Sequence, residues 1–193
     1  MMGKLNWTEK VEIVKELASE YRGHIAGKAI EVEDFVANVI TFYFSRDSYK
    51  RDPFVTVKVE YCLFDDATML TFANKVEIMK RIIECEEYLS RKKLNRLIST
   101  IDDIRGLRNT VSHAKISNTS EQVDGFDRNN IHFVKKRFKE GVLDETPKTI
   151  NSKDIEEFDR KVIKAINTMS DVFNEITNRS EKADASQSRT PDT

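Results

Sequence analysis

A mainly α fold is what this sequence predicts: a bundle of about five helices carrying a small β-hairpin or β insertion. Three observations point there. Apolar residues recur every three to four positions over most of the chain, the spacing that lines one face of an α-helix. Strand signals are few and short. Hydrophobic residues make up 39% and charged residues 34% of the 193 residues, which suits helices that bury one stripe and solvate the rest.

The elements follow in chain order. Thr8 is a candidate N-cap for a helix whose stripe is Val11, Val14, Leu17 and Tyr21. Gly23 is expected to interrupt or bend that pattern. A second helix over 24–44 carries Ile25, Ala29, Val32, Val36, Val39 and Tyr43, and at 1.5 Å per residue it would span roughly 30 Å. Residues 45–53 read as a loop, and 54–61 alternate and are rich in β-branched residues, so propensity assigns a strand, with an extended connector or a helical segment as the alternatives in a bundle. Thr71 caps a third helix with Phe72, Val76, Met79 and Ile83 on one face. The fourth runs from about Leu89 to Ala114, with Leu94, Leu97, Ile101, Ile104 and Val111 in phase. After the polar stretch 115–130, Ile131–Val134 and the segment beyond Gly141 can pair as a hairpin, and Pro147 would confine the second strand to an edge. Ser152 is a candidate N-cap for the last helix, whose stripe of Ile155, Phe158, Val162, Ile166, Met169, Phe173 and Ile176 is the cleanest in the chain. One domain over 1–178 is expected, with 179–193 lacking apolar anchors and expected to be disordered.

Composition bounds the function. A formal net charge of −1 and a pI near 6.4 give no global basic field, so any contact with nucleic acid must come from a local patch. Cys62 and Cys85 are too few and too isolated for a disulfide framework or a metal site, and read as buried small side chains in a reducing compartment. Residues 1–7 hold no apolar core of signal-peptide length, and no run approaches the roughly 18 apolar residues of a membrane span, so a cytoplasmic protein without membrane contact is expected. There is no internal repeat, no Gly-rich phosphate loop and no carboxylate or Cys/His cluster at ligand spacing. Neither a metal nor a cofactor is expected.

The exception to an anonymous bundle is Arg108-Asn109-Thr110-Val111-Ser112-His113, near the end of the fourth helical pattern. A guanidinium can hold a phosphate through its fork of donors, and imidazole can move a proton near neutral pH. Both serve phosphodiester chemistry. On a helical wheel Arg108 falls inside the apolar stripe, Asn109 lies about 100° round and His113 about 140°. Asn109 and His113 are four apart and share a face, with Asp102 and Arg105 continuing the polar flank. A plainer reading stands beside the catalytic one. Arg108 pairs with a carboxylate such as Asp102 or Glu31, and His113 complements a helix C-terminus.

The segment from Ile104 to Ala114 resembles the signature of the HEPN domains (higher eukaryotes and prokaryotes nucleotide-binding), many of which are metal-independent endoribonucleases and toxins of conflict systems. Arg22-Gly23-His24-Ile25-Ala26 with Ala29–Glu33 and Thr41–Phe44 is similar to the first long helix of bacterial members, and Leu70–Val76 to the start of their second. The likeness covers roughly residues 15–178, and its specific part is the Arg-to-His segment. The resemblance implies a homodimer through the motif helix, with two Arg–His sets lining one composite cleft. It implies His113 as general base or acid, Arg108 stabilising the crowded phosphate, and Asn109 orienting His113 or a phosphate oxygen. The products would be a 2′,3′-cyclic phosphate and a 5′-hydroxyl. An RNA substrate and an antitoxin or nucleotidyltransferase partner come with that reading, as does a role as toxin or antiphage effector. The alternative is a non-catalytic HEPN-like module that binds a nucleotide, RNA or a protein, or that serves only to dimerise.

Other residues are weighed in the same way. Arg91, Lys92, Lys93 and Arg96 form a basic cluster on the motif helix, which can guide a phosphate backbone or simply be a solvated face; with Arg105 they are the candidate RNA contacts. His24 is expected to be a satisfied structural histidine. His132, beside Lys135-Lys136-Arg137, is expected on a strand edge guarded by charge, the alternative being a basic edge that faces RNA. Trp7, Phe42, Tyr43 and Phe44 are expected in the core.

Overall fold

In the computed structural model, which describes residues 6–45, 70–116, 130–139 and 142–187, the chain is mainly helical with one small antiparallel sheet. Four helices occur among the described residues: α1 (Trp7–Ser45), α2 (Phe72–Glu86), α3 (Arg91–His113) and α4 (Ser152–Gln187). Strands β1 (Lys115–Ile116), β2 (Asn130–Lys139) and β3 (Val142–Asn151) lie in the order β1-β2-β3.

The expected first two helices are one. Gly23 is helical and exposed, and α1 passes through it unbroken. A glycine in a helix costs only about 1 kcal/mol relative to alanine. Here Ala18 and Ile25, on either side of it, are fully buried, and their burial outweighs that cost. Two caps also differ from expectation. Asn6, not Thr8, caps α1: its Oδ1 accepts from Glu9 N (2.9 Å) while Glu9 Oε2 accepts from Asn6 N (2.8 Å). Asn151, not Ser152, caps α4 through the same reciprocal pair with Asp154. Both are capping boxes built with an Asn at the cap. Thr71 caps α2 as expected, its Oγ1 accepting from Asn74 N at 3.3 Å. That helix closes at Glu87, a left-handed residue (φ 54°).

Contacts divide the chain into two units. The first combines 1–29 with 102–162 and buries Val11, Val14, Ile25, Ile104, Val111 and Phe158 beside Ile131, Phe133 and Ile150 of the sheet. Its hairpin is regular: Asn130 pairs with Asn151 and Lys139 with Val142, and Pro147, opposite Val134, lies on the edge strand. The second unit combines 30–101 with 163–193. Its core takes Val32, Val36 and Val39 from α1, Met79 and Ile83 from α2, Leu94, Leu97 and Ile101 from α3, and Met169, Val172 and Ile176 from α4. Phe42 stacks on Phe173 with ring centroids 4.2 Å apart, and Tyr43 donates to Glu86 at 2.7 Å.

Several expectations are corrected. Trp7 and Phe44 are about half exposed, so neither belongs to the core. Cys85 is exposed, because the buried stripe of α2 passes through Ile82 and Ile83 instead. The last helix runs on to Gln187 rather than giving way at residue 179. Arg179 holds that turn by pairing with Glu175, donating to Glu86 O at 2.7 Å and covering the ring of Tyr88. The strand expected at 54–61, the loop at 45–53 and Cys62 lie outside the described residues. No described helix is long and apolar enough to cross a membrane.

Candidate functional site: the C-terminal end of α3

Arg108, Asn109 and His113 all fall on the last two turns of α3. Val111 and Ala114 are buried beneath them, whereas Asn109 and His113 are exposed. Arg108 is half-buried and engaged within the protein, consistent with its position inside the apolar stripe. Arg105 pairs with Asp102 at 2.9 Å, so the Asp102 carboxylate is taken by the guanidinium one turn before Arg108.

What secures this end of α3 is Arg22 of α1. Its Nε donates to Val111 O at 3.0 Å and its Nη2 donates to Ala114 O, while the guanidinium lies over the Phe133 ring, 5.3 Å from the centroid. The last carbonyls of a helix have no partner within it and carry the negative end of its dipole. One planar fork meets two of them and ties the helix end to α1 and to β2. Arg22 was legible only as part of a family likeness; its partners are 89 and 92 residues away, and no local pattern announces them.

The remaining histidines are held. His24 Nε2 lies 2.7 Å from Asp159 Oδ1, with both side chains about one-third exposed, and His132 Nδ1 shares a hydrogen bond with Thr149 Oγ1 at 2.8 Å. A cleft of about 430 Å³ runs between α3 and α4 in the first unit, floored by Leu107, Ile150 and Phe158. The carboxylates on its rim are engaged internally. Lys161 reaches Asp103 (2.9 Å) and Glu157 (3.3 Å), and Asp154 serves the capping box. The hydrogen bond that Lys161 donates to Asp103 is the main reason its ammonium titrates above its ordinary range. None of the three motif residues lines this cleft. Among the described residues no group of three or more His, Cys, Asp or Glu is placed to hold a metal ion.

The candidate RNA contacts separate. Arg91, Lys92, Lys93 and Arg96 are exposed on the first turns of α3 in the second unit, whereas Arg105 belongs to the first unit and is neutralised by Asp102. Compared with protein-family models, with curated proteins and with solved structures, the chain matches none.

Proposed function

We propose that this chain is a HEPN-type, metal-independent endoribonuclease that works as a homodimer, in the manner of a toxin or antiphage effector. The observation that supports it best is the end of α3: a helix terminus fastened by the Arg22 fork, with Asn109 and His113 open to solvent and Arg108 beside them. Fastening matters because a phosphoryl transition state rewards donors that are already in place. In the proposed reaction the RNA 2′-hydroxyl attacks the adjacent phosphorus, and the bond from phosphorus to the 5′ oxygen breaks. His113 of one copy takes the 2′ proton, and His113 of the second copy gives a proton to the leaving oxygen. Arg108 offers its fork to the phosphate oxygens as charge builds there. Asn109, one turn before His113, orients the imidazole or a phosphate oxygen.

A second reading rests on one observation. The cleft beside α3 leaves the motif out, as a non-catalytic HEPN-like module would allow. One experiment separates the two: RNA incubated in chelator with wild type, Arg108→Ala and His113→Ala, with product ends and solution mass read on the same samples. Cleavage to cyclic phosphate by wild-type dimer alone supports the nuclease. A folded wild type that cleaves no RNA, or His113→Ala cleaving as fast as wild type, refutes it.

A further inference from the structure

The second unit carries a basic groove that the motif does not use. One cleft, of about 720 Å³, is lined by Arg91, Lys92, Asn95, Arg96 and Ser99 of α3 and by Lys164 of α4. A smaller one, of about 150 Å³, adds Lys93, Thr168 and Asp171. The two share Arg96, Thr100 and Lys164, so they adjoin along the same pair of helices. Five cations therefore face one carboxylate, Asp171.

We infer that this groove holds an RNA strand by its phosphates, in a sequence-independent grip formed by Arg91, Lys92, Lys93, Arg96 and Lys164. The inference rests on the ribonuclease reading for the identity of the anion, and on three features of the groove for the rest. First, none of the five cations makes an ion pair among the described residues, in contrast to Lys161, Arg105 and Lys75, which are each committed to carboxylates. Second, the placement works against the helix itself. The first turn of α3 has no acidic residue, and its cations stand at the positive end of the dipole, with Lys92 and Arg96 stacked one turn apart. A merely solvated face has no reason to break both rules at once, whereas a bound polyanion reverses both penalties. Third, the polar groups run in rows four residues apart, Lys92–Arg96–Thr100 and Arg91–Asn95–Ser99, with a step of about 6 Å along the axis that suits successive phosphates of one strand. No aromatic ring lines either cleft, so bases have no platform and recognition stops at the backbone.

Lys164 is the residue that completes the groove. It sits on a different helix from the sequence cluster, 68 positions after Arg96, and takes the place that sequence reading assigned to Arg105.

The test is binding of a fluorescent single-stranded oligouridylate in chelator, in the His113→Ala background so that the probe stays intact, across a range of salt. Arg96→Gln/Lys164→Gln is expected to bind at least ten-fold more weakly. Its plot of log affinity against log salt is expected to be shallower by about 1.4, roughly 0.7 for each lost phosphate contact on a single strand. Lys153→Gln/Lys182→Gln removes two exposed cations outside the groove and keeps the background affinity and slope, which separates the groove from net charge. Far-UV circular dichroism and melting check that each variant folds. Unchanged binding by the groove variant overturns the inference. So does an oligoglutamate that displaces the RNA at equal charge concentration, which would make the surface a dock for an acidic protein. The two proposals fail separately. A wild type that binds through the groove and never cleaves removes only the nuclease, and groove variants that bind and cleave like their parents remove only the groove.

Discussion

Replacing Arg22 by Met would remove the fork that holds the end of α3 while keeping most of the side chain's apolar stem. Two hydrogen bonds from a charged donor are lost, to Val111 O and Ala114 O, together with the contact over Phe133. A bond from a charged group contributes about 1.5–3 kcal/mol, and a cation–π contact at a partly exposed site about 0.5–1. Arg22 is half-buried, so the low ends apply and the expected cost is about 3.5 kcal/mol. Urea denaturation reads this directly: with an m-value of about 2 kcal/mol/M the midpoint should fall by about 1.7 M at unchanged slope. Arg22→Lys keeps the charge but cannot bridge two carbonyls, and is expected to cost about half as much. Hydrogen exchange should localise the damage, with amides of 111–116 opening before those of α2. On the proposed function, RNA cleavage should fall with Arg22→Met although Arg22 itself touches no substrate. A midpoint unmoved by Arg22→Met, or protection lost evenly across the chain, would show that this helix end does not depend on the fork.

Three further outcomes are expected. Gly23→Ala and Gly27→Ala should each stabilise the protein by about 0.5–1 kcal/mol, because both sites are helical and a Cβ at either meets nothing within 4 Å; thermal melts check this. Lys75→Met breaks the largely buried pair with Glu33 (2.8 Å) and should cost about 3 kcal/mol in chemical denaturation, a loss that Lys75→Met/Glu33→Leu largely reverses. Stability should decline as pH rises past about 10. Burial chiefly, and then Glu20, raise the Tyr21 phenol above its ordinary 10.0, while the Asp103 hydrogen bond chiefly raises Lys161 above 10.5. A group whose folded pKa is raised contributes its stability fully below the unfolded pKa and loses it as pH climbs through the folded one. Melting temperatures at pH 9 and pH 11 compare the two, and Lys161→Met/Tyr21→Phe should flatten the decline.

Periodicity carried most of the helical content, because Val11, Val32, Met79, Leu97, Ile104 and Val162 were all in phase with faces that are buried. Punctuation was less legible. Gly23 reads as a break only when the flanking burial is ignored. Thr8 and Ser152, equally good caps by type, stand close to Asn6 and Asn151; only the reciprocal partners Glu9 and Asp154 at three residues' distance distinguish the true caps. At the site, a sequence pattern is enough to find Arg108, Asn109 and His113, since they belong to one helix. Arg22 and Lys164 lie on other helices, and their placement beside α3 depends on tertiary structure that no window of sequence contains. For Arg105 the converse holds, since its counter-ion Asp102 stands only three residues before it and is visible in the sequence.

The two units bear on how the chain can be made. Each is assembled from two separate stretches, 1–29 with 102–162 and 30–101 with 163–193. During synthesis the first half of α1 therefore waits for a set of partners that is complete only once residue 162 has been added. At about 5–20 residues per second that is a delay of several seconds to about half a minute. Neither unit can close early as an autonomous piece, and no single proteolytic cut releases one intact. Over that interval the stripe of Val11, Val14 and Ile25 has none of its partners from 102–162 to bury it.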